Sequence, residues 1–179
     1  RPLIEREMAG PYRLVGHSLG GAVALRLAQA GAARLQGLTL IAPAGLGSEI
    51  DQSFIDGMLN ASQPLLLRRE LAKLTRRPQP FGDTWLTGLH TDLQRRSSAL
   101  QALTSQLALR GIQQIDLAAA LDALTLPVAV LWGRHDRIIP WQQALDLPPQ
   151  VALHLFSESG HMPQAEQTCV VSRLLLQAD

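Results

Sequence analysis

The chain has 179 residues, of which 46% are hydrophobic and 17% are charged, and its formal net charge is +1. This balance excludes the strong positive field that nucleic-acid or anionic-membrane binding needs, and the longest charge-free apolar stretch is well short of the about 20 residues of a membrane helix. Cys169 is the only cysteine, which excludes an internal disulfide and a cysteine-rich metal site. We expect one globular domain in the cytoplasm, with no nucleic-acid partner and no membrane partner.

Residues 1 to 47 predict the end of a helix, then a strand, a helix and a second strand. The strand segments YRLVG and LQGLTLIAPAG are continuously apolar, and the helix segment AVALRLAQAGAARL is apolar on nearly every face. Apolar strands that alternate with helices predict a parallel sheet covered on both sides.

Residues 48 to 126 differ in composition, with many Leu, Gln, Arg and Ser residues and several prolines. No strand with convincing alternation occurs, so the segment predicts several helices that form a lid or insertion. A basic group in this segment is a candidate for binding an anionic ligand, but acidic residues balance it, which favours a solvated helix face. The group comprises Arg68, Arg69, Lys73, Arg76 and Arg77.

Residues 127 to 179 return to alternating strands and helices and complete the core that residues 1 to 47 begin. PVAVLWGRHD predicts a buried strand with a polar exit, RIIPWQQALDL begins a short helix, and VALHLFSESGH predicts another strand. PQAEQTCVVSRLLLQA predicts an amphipathic final helix, in which we expect Cys169 to be a small core residue.

The segment GHSLG, from Gly16 to Gly20, fits the pattern G-x-S-x-G between a strand and a helix. In such a turn a strained backbone exposes the serine hydroxyl, so Ser18 is a candidate nucleophile. The helix that follows points its N-terminus at the site, so the backbone N–H of Leu19 is the candidate oxyanion donor. The alternative is a glycine-rich turn with a bystander serine. The spacing fits neither a phosphate-binding loop nor a dinucleotide loop.

Asp136 and His161 each lie just past a predicted strand, in the order serine, acid, histidine that such a site requires. Carboxyl ends of parallel strands are where open sheets build their sites, so these residues are the candidate acid and base. His17 and His90 are weaker candidates for contact with substrate. No cluster of metal ligands and no cofactor site is recognisable. We expect structural roles for the other candidates, His135, His154, Asp122 and Asp146.

These features together resemble the α/β-hydrolase superfamily over nearly the whole chain. The segments GHSLGGAVALRLA, LTLIAPAGLGSEIDQSFIDG and WGRHDRIIP more closely resemble the C-terminal hydrolase-like domain of dihydrolipoamide acetyltransferase components of acetoin dehydrogenase complexes. The resemblance implies the C-terminal half of an α/β-hydrolase fold, with about four parallel strands, flanking helices and a helical lid.

In such complexes an acetyl group passes between a lipoyl thiol and coenzyme A. The resemblance therefore implies a small-molecule acyl substrate, a coenzyme A or lipoyl thioester as substrate rather than cofactor, and other subunits of a dehydrogenase complex as partners. A stand-alone esterase or thioesterase and a carbon–carbon bond hydrolase are alternatives with the same three residues. A non-catalytic assembly module or an inactive fragment is the alternative of another class.

The sequence departs from this family before Ser18. No lipoyl domain is recognisable, and the strand before Ser18 is the first recognisable one, whereas family members carry earlier strands and a His-Gly loop that completes the oxyanion hole. We expect a serine acyl-transfer enzyme, and this departure is the ground for the alternative of a truncated chain whose catalytic residues are present but idle. Its elbow strand would be an exposed sheet edge through which copies of the chain could form a homo-oligomer.

Overall fold

The computed structural model describes residues 10–31 and 33–177, so the helix end predicted near the start of the chain lies outside the described residues. The elements follow in chain order, and the segment from α2 to α6, which is inserted between β2 and β5, is given the name lid. They are β1 (Tyr12–His17), α1 (Leu19–Gln29), β2 (Leu35–Ile41), α2 (Gln52–Leu59), α3 (Leu67–Leu71), α4 (Asp83–Arg95), α5 (Ser97–Leu107), β3 (Ala108–Leu109), β4 (Ile112–Gln113), α6 (Ala118–Asp122), β5 (Val128–Gly133), β6 (Ala152–Phe156), α7 (Pro163–Glu166) and α8 (Thr168–Gln177).

The main sheet has the order β1-β2-β5-β6, and all of its pairings are parallel. The lid is inserted between β2 and β5, yet these strands are neighbours, so the lid leaves the sheet and returns to it without adding a strand there. Parallel strands all present their carboxyl ends at one edge. The sheet therefore brings the loops after β1, β5 and β6 together.

Apolar burial covers both faces of the sheet, as the apolar strands predicted. On one face Leu25 of α1 belongs to a cluster with Leu40 and Trp132, and the exposed fractions of these residues are 0 to 1%. On the other face Val171 of α8 packs against Leu131 in a second cluster. Among the described residues β1 forms one end of this sheet, and its Val15 is 51% exposed.

The lid has an apolar cluster of its own, formed by Ala61, Leu67, Leu71 and Leu86. Its sequence predicted helices alone, but the structure also contains the short antiparallel hairpin β3–β4. Both turn residues of this hairpin, Arg110 and Gly111, have positive φ angles of 54° and 77°, as a two-residue type I′ turn requires. A strand of two residues is too short to show the alternation of apolar and polar residues by which a strand is recognised in a sequence.

A partly buried ion-pair cluster ties lid residues together near the start of α2. Lys73 Nζ lies 2.7 Å from Glu70, 3.0 Å from Asp51 and 2.8 Å from Ser53 Oγ. Burial opposes the charge of Lys73, but the two carboxylates outweigh it and raise the pKa of Lys73. Asp51 also caps α2 by accepting the Ser53 N–H, and its own backbone N–H donates to the carbonyl of Ile138 in the loop after β5.

The position of Cys169 differs from the prediction. Cys169, expected in the core, is exposed, because the buried face of α8 carries Val171 while Cys169 lies on the opposite side. Across residues 10–31 and 33–177, no helix combines the length and apolar character that crossing a bilayer would take.

Candidate active site

Ser18 occupies the sharp turn between β1 and α1 that the glycine pattern predicted. Its φ and ψ angles are 54° and −123°, in the left-handed half of conformational space that a non-glycine residue adopts only under strain. Hydrogen bonds hold the turn on both sides: the Ser18 N–H donates to the Ile41 carbonyl at 3.0 Å, and the Ala44 N–H donates to the Ser18 carbonyl at 3.0 Å. The strain is therefore fixed by the neighbouring strand β2 and the loop that follows it.

Glycine at position 16 is required by the close approach of strand and helix. A Cβ atom there would lie 2.7 Å from the Cα of Gly21 and 2.8 Å from the Cβ of Ala24. The turn opens α1 at Leu19, and among the described residues no backbone carbonyl accepts the Leu19 N–H. This N–H is one of the unsatisfied donors of a helix N-terminus, which is suited to an anion.

His161 and Asp136 form a direct hydrogen bond, with Nδ1 of His161 2.8 Å from Oδ2 of Asp136. Both side chains are buried, with exposed fractions of 3% for His161 and 0% for Asp136. Because the carboxylate accepts, Nδ1 carries the hydrogen and Nε2 keeps its lone pair.

The carboxylate of Asp136 accepts three further hydrogen bonds. The indole N–H of Trp132 donates to Oδ2 at 2.9 Å, and the backbone N–H groups of Ile138 and Ile139 donate to Oδ1 at 2.8 and 3.0 Å. The sequence did not reveal the role of Trp132, whose indole N–H fixes the carboxylate oxygen that holds His161.

His17 connects the elbow to the histidine loop. Its Nε2 lies 2.9 Å from the backbone carbonyl of His161, and the two ring centroids are 4.7 Å apart. Burial and the neighbouring His161 ring lower the pKa of His17, so the neutral ring donates Nε2–H to that carbonyl. Among the described residues no hydrogen bond joins Ser18 Oγ to the His161 ring, and catalytic hydrogen bonds are often long before a substrate binds.

His90, the other candidate for substrate contact, lies elsewhere. Its ring nitrogen Nε2 is 2.9 Å from the carbonyl of Ala61 within the lid, and it is not among the residues that line the cavity beside Ser18. Four members of the basic group pair with acids: Arg68 with Asp83, Arg69 with Glu70, Lys73 as described above, and Arg76 with Glu158.

Glu166 is a second residue that the sequence did not reveal. One carboxylate oxygen accepts the Gly160 N–H at 2.6 Å, and the other accepts the Arg76 N–H at 2.8 Å. Gly160 directly precedes His161, so this carboxylate holds the histidine loop against the lid. No spacing rule could have found it, since both of its partners are backbone groups.

A cavity of about 170 Å³ lies beside the elbow, between the core and the lid. Ser18 and Leu19 line one part of it, and Phe54 of α2 and Leu107 of α5 line the lid side. Within the described part of the chain, no group of three or more His, Cys, Asp or Glu side chains is placed to hold a metal ion.

The chain belongs to the family with the alpha/beta hydrolase fold, whose model matches residues 9–168. Two relatives, one from Cupriavidus necator and one from Pseudomonas putida, are each named as the dihydrolipoyllysine-residue acetyltransferase component of the acetoin cleaving system. Each is 32% identical to this chain. The alignment with the Cupriavidus protein covers 170 residues, or 90% of this chain, and the alignment with the Pseudomonas protein covers 165 residues, or 91%. The match covers 44% of either relative, so the chain spans less than half of their length.

Other similar proteins carry hydrolase names. A 2-hydroxy-6-oxononadienedioate/2-hydroxy-6-oxononatrienedioate hydrolase from a Pseudomonas species is 25% identical over 91% of this chain and 61% of its own length. A meta-cleavage product hydrolase from Pseudomonas fluorescens superposes with a TM-score of 0.76 at 18% identity, over 94% of this chain and 64% of that one. The structural likeness agrees with a partial α/β-hydrolase fold, as the sequence predicted.

Proposed function

We propose that this chain catalyses serine-dependent acyl transfer, with Ser18 as nucleophile, His161 as general base and then acid, and Asp136 as the group that orients His161. The observation that supports this most is the buried 2.8 Å hydrogen bond between His161 and Asp136. It lies at the sheet edge where Ser18 is held in a strained turn, and this combination is how a serine hydroxyl becomes nucleophilic.

In the first half-reaction Ser18 Oγ attacks the acyl carbonyl carbon while its proton passes to Nε2 of His161. The carbonyl electron pair moves onto oxygen, where the Leu19 N–H at the start of α1 stabilises the negative charge. Collapse of this intermediate breaks the bond to the leaving group, which takes the proton from Nε2. An acyl-serine remains.

In the second half-reaction an acceptor attacks the carbonyl carbon of the acyl-serine and gives its proton to Nε2 of His161. Collapse of the second intermediate breaks the bond to Ser18 Oγ, which takes that proton back, and releases the acylated acceptor. We propose a thiol acceptor, with a coenzyme A or lipoyl thioester as substrate and other subunits of a dehydrogenase complex as partners. The two relatives named as acetyltransferase components of the acetoin cleaving system, each 32% identical, support this choice.

A hydrolase that uses water is the second candidate, either an esterase or thioesterase or a carbon–carbon bond hydrolase. The relative named as a dienedioate hydrolase supports it, because it also matches 91% of this chain. An esterase or thioesterase shares the acyl-serine with the transferase and differs from it in the acceptor; a carbon–carbon bond hydrolase differs also in the bond that it breaks. A non-catalytic assembly module would form no acyl-serine at all.

Acylation of Ser18 tests the proposal. The chain would be incubated with butyryl-coenzyme A and examined by intact-mass and peptide mass spectrometry, beside Ser18→Ala and the matched variant Ser172→Ala, whose serine is exposed on α8. We expect a butyryl adduct on Ser18 that persists in Ser172→Ala and is absent in Ser18→Ala. Adding dihydrolipoamide should then speed its loss and yield the butyryl thioester. Loss to free butyrate at an unchanged rate would support the hydrolase, and no adduct on a folded chain would refute serine catalysis.

A further inference from the structure

The cavity beside Ser18 is small, opens partly to solvent and is lined mainly by apolar side chains from the core and the lid. Its volume is about 170 Å³, and its apolar lining includes Phe54, Ile55, Leu107, Ile115 and Ile138. A cavity of about 150 Å³ with a Leu, Ile and Phe lining holds one benzene molecule, so this one accommodates about six carbon atoms.

The lining offers no partner for a charged ligand. None of the described residues that line it is charged, and two polar side chains besides Ser18 contribute, those of Thr104 and Gln113. The hydroxyl of Thr104 bonds to the Leu100 carbonyl of its own helix at 2.9 Å.

The carboxamide of Gln113 is also fully engaged. Its oxygen accepts the Gly45 N–H at 2.9 Å, and its nitrogen donates to the carbonyls of Gly47 and Glu49 at 2.9 and 3.0 Å. Gln113 is only 7% exposed, so it holds the loop after β2 in place and has no donor left for a ligand. The hydrogen-bonding groups that remain at this cavity belong to the elbow itself.

We infer that this cavity is the acyl pocket and that it selects neutral, unbranched acyl groups of about two to six carbons; the inference rests on the proposed function because it assigns a substrate class to the same site. A neutral chain gains from every methylene that leaves water for this lining. An acyl group with a terminal carboxylate would lose its hydration there without a compensating donor or cation. The lid residue Phe54 sets the size limit together with Ile55.

The rate of Ser18 acylation by a series of p-nitrophenyl esters tests this. From acetate to hexanoate we expect kcat/KM to rise about fourfold per methylene, and from hexanoate to decanoate we expect no further rise. The succinate monoester should react at least about 100-fold more slowly than the butyrate ester, because its carboxylate finds no partner. In Phe54→Ala, or in Ile55→Ala if the first variant unfolds, the optimum should move to longer chains. The matched variant Leu109→Ala, which removes an exposed side chain of the lid hairpin, should keep the original profile.

Binding to Ser18→Ala separates this inference from the proposed function, because binding needs no nucleophile. Butyramide, hexanamide, decanamide and succinamate would be titrated by calorimetry into Ser18→Ala with and without Phe54→Ala. If no ester acylates Ser18 but hexanamide binds best and succinamate does not bind, the proposed function fails and the pocket assignment stands. If esters react but decanoate or succinate is preferred, or Phe54→Ala and Ile55→Ala leave the chain-length profile unchanged, the pocket assignment is wrong and serine catalysis stands.

Discussion

Replacing Asp136 by asparagine changes one oxygen to an NH2 group inside a fully buried network. The amide oxygen would keep the two backbone N–H groups, Ile138 and Ile139, that now donate to Oδ1 at 2.8 and 3.0 Å. The NH2 group would then face His161 Nδ1 and the Trp132 indole N–H, which both donate to Oδ2 in the present structure. The indole retains a second acceptor, the Ile139 carbonyl at 3.3 Å.

His161 has no such second acceptor at Nδ1 among the described contacts. In Asp136→Asn its ring must take the other tautomer, with the hydrogen on Nε2, where it cannot accept the Ser18 proton. Loss of the correct tautomer costs about 10⁴-fold in serine triads of known geometry. Loss of a hydrogen bond to a charged group costs about 1.5–3 kcal/mol of unfolding free energy, and we expect both effects here.

Two assays separate the two effects: the rate at which p-nitrophenyl butyrate acylates Ser18, and urea unfolding followed by circular dichroism. Asp122→Asn is the matched control, since Asp122 is exposed on α6, and it should change neither quantity measurably. If Asp136→Asn is folded and its acylation rate stays within about tenfold of the parent, the account of His161 tautomer control is wrong.

Three further predictions concern the framework of the site. In Gly16→Ala the new Cβ would lie 2.7 Å from the Gly21 Cα, so we expect a loss of about 1–3 kcal/mol in urea unfolding; an unchanged midpoint would contradict the close approach. Glu166→Gln can accept only one of its two backbone N–H groups, so unfolding free energy should fall by about 1.5–3 kcal/mol; equal stability would mean that the contact with Gly160 is unimportant. Burial and the His161 ring depress the pKa of His17 below 6.5, so its contribution to stability is complete above that pH and is lost as the pH falls. His17→Gln should flatten this decline between about pH 7 and pH 5, and parallel curves would refute it.

The main features of the fold and of the His161–Asp136 pair were predictable from short-range pattern. The apolar runs of β2 and β5 lie at the centre of the sheet, where both faces are buried, so hydrophobicity alone reveals them. The glycines around Ser18 reveal a turn, because Gly16 is forced by the contact with Gly21. His161 and Asp136 follow strands whose carboxyl ends meet at one edge, so their positions in sequence already implied proximity.

What could not be predicted depends on contacts between distant residues. The Glu166 carboxylate of α7 accepts the backbone N–H of Arg76 in the lid, and neither residue type signals such a bond. Cys169 was expected inside because its helix is apolar, but the direction of the buried face is set by how α8 lies on Leu131. The hairpin at Arg110 is held by turn geometry, and its strands contain only two residues each.

Covalent labelling with a fluorophosphonate probe tests whether Ser18 and His161 work as nucleophile and base, because the probe reacts with a serine whose base is assembled beside it. The labelled chain would be digested and the modified peptide located by mass spectrometry, with Ser18→Ala and His161→Gln as comparison variants. We expect a single adduct on Ser18, absent in Ser18→Ala and strongly reduced in His161→Gln. A folded chain that takes no label, or that labels equally well without His161, would contradict it.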